Sequence, residues 1–270
     1  MIEQMMRGIA MLLVCLCGLC SAEHAVFTKQ AQAQSGLLAL LGANQSRIEA
    51  HFFRAAETGL CIVDEGNGKP AYGSLETAMK KHRCVAGVNG GYFAANEARS
   101  PIGLVRHGGY TVSPLATAGS FTVVGVVYDT GETIRIERTA RLQTPVRAMR
   151  EGIQGGPFLV EHGRVVPGLE STRKAARTFI ATDGAGRWCL AVSSPLSLHE
   201  LALWLVEKGG MGDFRVQTAL NLDGGSSCSF WDAAAGSYLP GFKAVRNYVG
   251  VRPRALNAAG GSADHTPPAR

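Results

Sequence analysis

Alternation of apolar and polar positions is the dominant pattern after about residue 46, and it is broken by glycine-rich points rather than by long polar linkers. RIEAHFFRA (47–55) alternates as a half-buried strand does, and GLCIVD (59–64) continues the pattern up to the turn EGNGKP. Together they predict a hairpin. FTVVGVVYD (121–129) and ETIRIER (132–138) flank Thr130-Gly131 as a second hairpin, and RTFIATD (177–183) and RWCLAVSS (187–194) flank Gly184-Ala185-Gly186 as a third. RVQTALNLD (215–223) reads as a strand that ends in an aspartate and two glycines.

Two segments switch to helical spacing. SLETAMKKH (74–82) places good helix formers behind a Ser74 cap, and CVAGV leads from it into NGGYF (89–93). SLHELALWLVEKGG (197–210) has apolar residues at helical intervals, Ser197 and Glu200 spaced as a capping box, and glycines after its end. Strands without strict βαβ alternation, plus at least two helices, predict an α+β fold: one domain over residues 46–254, with a mixed, largely antiparallel sheet core and packed helices.

The two ends differ from this body. Residues 1–22 carry Arg7, an apolar run from Gly8 to Cys20 and small residues ending at Ala22, the pattern of an export signal. The run is short for a membrane span, and Leu16 and Leu19 precede Cys17 and Cys20 where a lipoprotein signal has a small residue. The expectation is a secreted or periplasmic chain with no stable membrane anchor. Residues 23–45, rich in Ala, Gln and Ser, are expected to form a mobile or helical lead-in, and ALNAAGGSADHTPPAR (255–270) a disordered tail.

Composition narrows the chemistry. A formal charge of +6 suits anionic ligands, but the basic residues are scattered, and no basic stripe interleaved with aromatics points to nucleic acid. Cys61, Cys84, Cys189 and Cys228 lie outside the export segment, and disulfide pairing and four separately buried thiols are both open readings. The seven histidines are dispersed and no Cys/His cluster occurs, so no zinc site is expected. A GxSxG elbow, a Walker lysine and an HExxH helix are absent, and Gly66-Asn67-Gly68 lacks the strand-to-helix context of a dinucleotide fingerprint.

Three Gly-Gly pairs follow strands: Gly90-Gly91, Gly155-Gly156 and Gly224-Gly225. Such pairs let backbone N–H groups face an anion without Cβ interference, or they simply make tight turns. Asn221 and Asp223 are two apart, so on a strand they share a face. Asp223 could serve as nucleophile, general base, sugar-hydroxyl acceptor or metal ligand, or it could cap an Asx turn with Ser226 and Ser227 behind it. Glu200 has a sufficient role in its capping box and Asp183 in its hairpin turn, so neither supplies an evident second carboxylate.

The ordered blocks CVAGVNGGYF (84–93), GGPFLVEHGRV (155–165), ARTFIATDG (176–184), LHELALWLVEKGG (198–210) and ALNLDGGSSCSF (219–230) resemble the phosphodiester glycosidase family. The resemblance implies hydrolysis of a sugar C1-phosphodiester in a sugar-phosphate or glycan substrate, with Asp223 as the working carboxylate, Arg177 as phosphate clamp and Asn89 orienting phosphate or a sugar hydroxyl. It places Gly90, Gly91, Tyr92, Gly155, Gly156, Thr178, Asn221, Gly224, Gly225, Ser226 and Ser227 around the substrate. No cofactor is required, while a calcium held by Asp223, backbone carbonyls and water is compatible with the residues. Phe179-Ile180-Ala181 stands where the family has Ala-Ile-Gly, and Ser226 where it has a third glycine. These departures motivate a rival reading, a non-hydrolytic glycan-binding protein of exopolysaccharide or cell-wall assembly.

Overall fold

The computed structural model describes residues 23–30, 45–67, 69–117 and 121–254; residues 1–22, expected to be an export signal, the end of the lead-in and the C-terminal residues 255–270 lie outside the described residues. In chain order the strands and helices are β1 Glu23–Gln30, β2 Gln45–Arg54, β3 Thr58–Asp64, α1 Leu75–Lys81, β4 Ala86–Asn89, β5 Val105–His107, β6 Tyr110–Ser113, β7 Gly125–Asp129 and β8 Ile134–Arg138. They continue with β9 Glu151–Gly155, β10 Phe158–Glu161, β11 Arg164–Val165, β12 Ala175–Thr182, β13 Arg187–Leu196, α2 Leu198–Val206, β14 Thr218–Asn221, β15 Phe230–Asp232, β16 Tyr238–Leu239 and β17 Asn247–Pro253.

The strands form three sheets, of order β1-β2-β13-β12-β14-β10-β11, β16-β15-β4-β17-β3 and β6-β5-β9-β7-β8. Every strand pair among the described residues is antiparallel, so the expected mixed component is absent. The helical contribution is also smaller than the α+β expectation: two short α-helices lie against what is mostly antiparallel sheet.

Strand alternation explains the layers. On β13, Trp188, Leu190 and Val192 point into a core shared by all three sheets, where Leu220 of β14, Val88 of β4, Val249 of β17 and Ile153 of β9 meet them. The intervening Cys189 and Ala191 face the other side, where Leu201, Trp204 and Leu205 of α2 cover the sheet. Burial on both faces is why these strands read as nearly continuous apolar runs. Helix α1 covers the second sheet so closely that a Cβ on Gly87 would lie 2.2 Å from the Met79 sulfur, and one on Gly250 2.7 Å from it.

The predicted caps form. Ser74 accepts from the Thr77 N–H, and Ser197 and Glu200 complete a capping box at α2. The hairpins β7–β8 and β12–β13 are present, although Phe121–Val123 is a 3-10 turn rather than strand. The β2–β3 hairpin is not. Strand β2 has both edges occupied, by β1 and β13, and β3 pairs with β17 in another sheet. Residues 23–30 correct the lead-in expectation, because they form β1 in register with β2 from Gln45 to Phe52.

Candidate active site

The carboxyl end of β14 meets the ends of β12 and β4. Leu222 donates its N–H to the Thr178 carbonyl at 2.8 Å, extending the β12–β14 pairing one step, and Asp223 donates its own to the Gly90 carbonyl at 3.2 Å. Asp223 is thereby delivered at the junction of two sheets.

Behind it stands a buried polar network. The Asn89 side chain, with no solvent exposure, donates from Nδ2 to the Asp223 carbonyl at 2.7 Å. Its Oδ1 accepts from the Thr178 hydroxyl at 2.6 Å and from the Ser229 N–H at 3.1 Å. Because that hydroxyl proton goes to Asn89, the Cys228 thiol at 3.1 Å is the donor to Thr178 Oγ1. Asn221 Nδ2 donates to the Tyr92 hydroxyl at 2.7 Å and to the Gly156 carbonyl at 3.1 Å, and the Tyr92 hydroxyl donates to that carbonyl at 2.8 Å. The Asn221 Oδ1 is left without a partner, while the remaining bonds of the network rigidify the backbone that carries them.

The network reassigns most of the expected ligand contacts. Asn89, expected to orient phosphate, holds the Asp223 backbone instead, and Thr178 and Asn221 are likewise buried supports. The Gly90 and Gly91 N–H groups are taken by the carbonyl and side-chain oxygen of Asn247, both at 2.8 Å. A Cβ on Gly90 would lie 2.0 Å from Asn247 Oδ1 and one on Gly155 2.8 Å from the Asn221 carbonyl, while Gly156 N–H binds that same carbonyl. In these two glycine pairs backbone packs closely against backbone, and the Gly90, Gly91 and Gly156 N–H groups have partners within the protein.

The groups that reach solvent are Arg177, Tyr92, Asp223, Gly224, Gly225 and Ser226. A Cβ on Gly224 would lie 2.7 Å from the Ala176 carbonyl, so the Asp-Gly-Gly turn sits directly on the β12 backbone that carries Arg177. The Arg177 side chain is mostly buried, and two of its N–H groups are held by the carbonyls of Leu196 at 2.9 Å and Arg173 at 2.8 Å. Burial lowers its proton affinity, which the neighbouring Tyr92 and Glu170 oppose. A guanidinium held in this way keeps its full charge.

Asp223 is held above the ordinary carboxylate range by burial, against the opposing pull of hydrogen bonds from Ser227 and the Gly224 N–H and of the Lys243 charge. The Gly224 contact, at 2.9 Å, ties the Asp223 carboxylate to its own turn, while the Gly225–Ser227 turn has Gly224 as its N-cap and no side-chain cap. Ser227 is buried behind it, whereas Ser226 is exposed at the rim, where its carbonyl accepts from the Phe242 N–H at 3.0 Å. Burial also raises the Tyr92 hydroxyl, with the Asp223 charge adding to the effect and Arg177 opposing it, which marks the three as electrostatic neighbours.

Three neighbours escaped sequence reasoning. Lys243 reaches the site from the chain segment after β16 and lies over the Phe93 ring at 5.1 Å. Glu170 lies 4.0 Å from Arg177, its proton affinity lowered by the Thr172 hydroxyl and by backbone N–H groups. Neither carries a local signal, because both lie in loops outside the glycine blocks. Cys228 did carry one, standing directly after Ser226-Ser227.

An antiparallel β assembly that brings an arginine, a tyrosine and an aspartate with raised proton affinity to one solvent-facing strand end has the makings of a hydrolase site for a charged substrate. The chain belongs to the phosphodiester glycosidase family, whose sequence profile matches residues 82–252. No curated protein sequence matches it. The fold is similar to the catalytic domain of zebrafish N-acetylglucosamine-1-phosphodiester alpha-N-acetylglucosaminidase, auto-inhibited by its pro-peptide, at TM-score 0.60 and 14% identity over 86% of this chain and 83% of that one. A hypothetical protein from Synechocystis matches at TM-score 0.53 and 18% identity over 85% of this chain and 62% of that one. A putative exported protein from Burkholderia pseudomallei matches at TM-score 0.53 and 12% identity over 77% and 74%. At these identities the three structures establish the fold alone.

Proposed function

We propose that the protein hydrolyses a sugar C1-phosphodiester in an extracytoplasmic glycan or glycoconjugate, releasing the sugar and leaving a phosphomonoester. The observation that carries this reading is the placement of Asp223 against the Arg177 segment, at the meeting of β14 and β12 and inside the family's own matched span. A phosphomonoester departs as an anion without needing a proton, so the carboxylate is most useful at the attacking water. Burial raises the proton affinity of Asp223 and so strengthens it as the base that takes the water's proton. Arg177 stabilises charge developing on the departing phosphate, and Glu170 is the exposed counter-charge that a phosphate would displace. Tyr92 and Ser226 face the sugar side of the same opening. The export-like first 22 residues support action outside the cytoplasm, and among the described residues no helix is long and apolar enough to cross a membrane.

A panel of sugar-1-phosphodiesters tests the reading. Asp223→Asn is expected to lower kcat/KM by about 10²–10⁴-fold, and Arg177→Ala by about 10²–10³-fold. Absence of turnover by the wild type on every member, or an unimpaired Asp223→Asn, would sink it. Ser226 at the rim, where the family has glycine, favours a second reading as a glycan-binding protein. Calorimetric glycan binding that Asp223→Asn leaves unchanged, with no product on long incubation, would select that one.

A further inference from the structure

A second cluster of chemistry-bearing side chains lies apart from Asp223 and shares no residue with it. His24 of β1 and His51 of β2 are direct cross-strand partners, with rings stacked 5.0 Å apart. Asp232, at the end of β15 in the second sheet, meets them, and one ligand atom from each of the three lies within 4.8 Å of the others. His51 and Asp232 are almost wholly buried, with side-chain exposures of 3% and 1%. Nε2 of His51 and Oδ2 of Asp232 face each other in direct contact, and the buried Nδ1 of His51 has no hydrogen-bond partner.

The carboxylate is aimed by its own backbone. Oδ1 of Asp232 accepts from the N–H groups of Ala234 at 2.7 Å and Ala235 at 3.1 Å, which turns Oδ2 toward the histidines. Glu49 is seated on Nε2 of His24 at 3.1 Å and is itself held by Arg47 and Ser237, so it orients that ring and adds negative charge beside the cluster. Phe53 and Phe230 pack on His51, at 5.6 and 5.3 Å between ring centres, and keep the surroundings apolar. Leaving a buried imidazole nitrogen unpaired is costly, and a cation held among these ligand atoms offsets the cost.

We propose that His24, His51 and Asp232 form a binding site for a divalent transition metal ion of the zinc class, with Glu49 as the supporting carboxylate. Two imidazoles and one carboxylate suit such an ion, whereas calcium takes oxygen ligands throughout. A carboxylate that orients a ligating imidazole is the usual outer partner of such a site. The ion would tie strand β1 to β15, joining the first sheet to the second beside the His51–Asp232 contact.

The test uses the untagged full chain, stripped with chelator and titrated with zinc(II), with cobalt(II) as spectroscopic probe. About one ion per chain is expected, with a cobalt spectrum free of thiolate charge-transfer bands and a melting temperature that rises with added zinc. His24→Gln, on a partly exposed strand, and Asp232→Asn should fold and lose both the uptake and the rise, while Glu49→Gln should bind about 10–100-fold more weakly. Failure of the wild type to take up zinc, undiminished uptake by folded His24→Gln and Asp232→Asn, or thiolate bands showing the ion on cysteine would overturn the proposal.

Discussion

Asp223 holds its proton more tightly than a free aspartate because its ionised form is partly stripped of water. A carboxyl raised in the folded state contributes stability below its unfolded value, and that contribution is lost as pH rises through the folded one. The chain should therefore lose stability as pH climbs out of the ordinary carboxylate range. Asp223→Asn removes the charge while keeping an acceptor for the Gly224 N–H, so it should be more stable than wild type at neutral pH and flatter with pH. Urea unfolding at a series of pH values checks this. A less stable variant with an unchanged pH dependence would contradict it. The place of Asp223 at the end of β14 was legible because a carboxylate followed by two glycines after an apolar run is a local pattern. The burial of Asn89 was not, because it depends on Thr178, Asp223 and Ser229, which lie far from it in the chain.

At the scale of elements, α2 was legible to its cap. Ser197 has no solvent exposure and binds the Glu200 N–H at 3.1 Å, so Ser197→Ala leaves a buried donor unpaired. The expected loss is about 0.5–2 kcal/mol, seen as a lower denaturant midpoint with an unchanged slope; no shift in midpoint would show that the box contributes nothing here. The hairpins divide on the same principle. β12 and β13 are joined through Gly184 and Gly186, both at positive φ, and their pairing follows from the turn. β2 and β3 are joined just as closely, but β2 is enclosed between β1 and β13 and has no edge to offer. Alternation identifies a strand and says nothing about which neighbour claims its edge.

Across the whole molecule, the three-sheet core settles the cysteine question. Cys61, Cys84, Cys189 and Cys228 are all buried free thiols; burial pushes Cys189 up to about 12 and Cys228 to about 11, whereas a hydrogen bond with Cys84 holds Cys61 below the ordinary thiol value. Thiols covered by the core react slowly because reagents do not reach them. Alkylation of the native protein followed by mass spectrometry should leave these four unmodified, and alkylation after denaturation without reductant should label all four. A cysteine that stays unlabelled until reductant is added would reveal a disulfide and contradict the free-thiol core.

The amino-acid order by itself determined strands β2, β3, β7, β8, β12, β13 and β14, both helices with their caps, the tight glycine turns and the carboxylate at the end of β14. Each of these depends on a dozen or fewer neighbouring residues, whose periodicity and turn chemistry act locally. Only the tertiary structure decided that two glycine pairs pack backbones together, that a buried Asn89 holds the Asp223 backbone, and that the dispersed His24 and His51 converge on Asp232. Those outcomes require β1 to register on β2 and β15 to pair with β4, so they arise only when all the strand pairings are satisfied together.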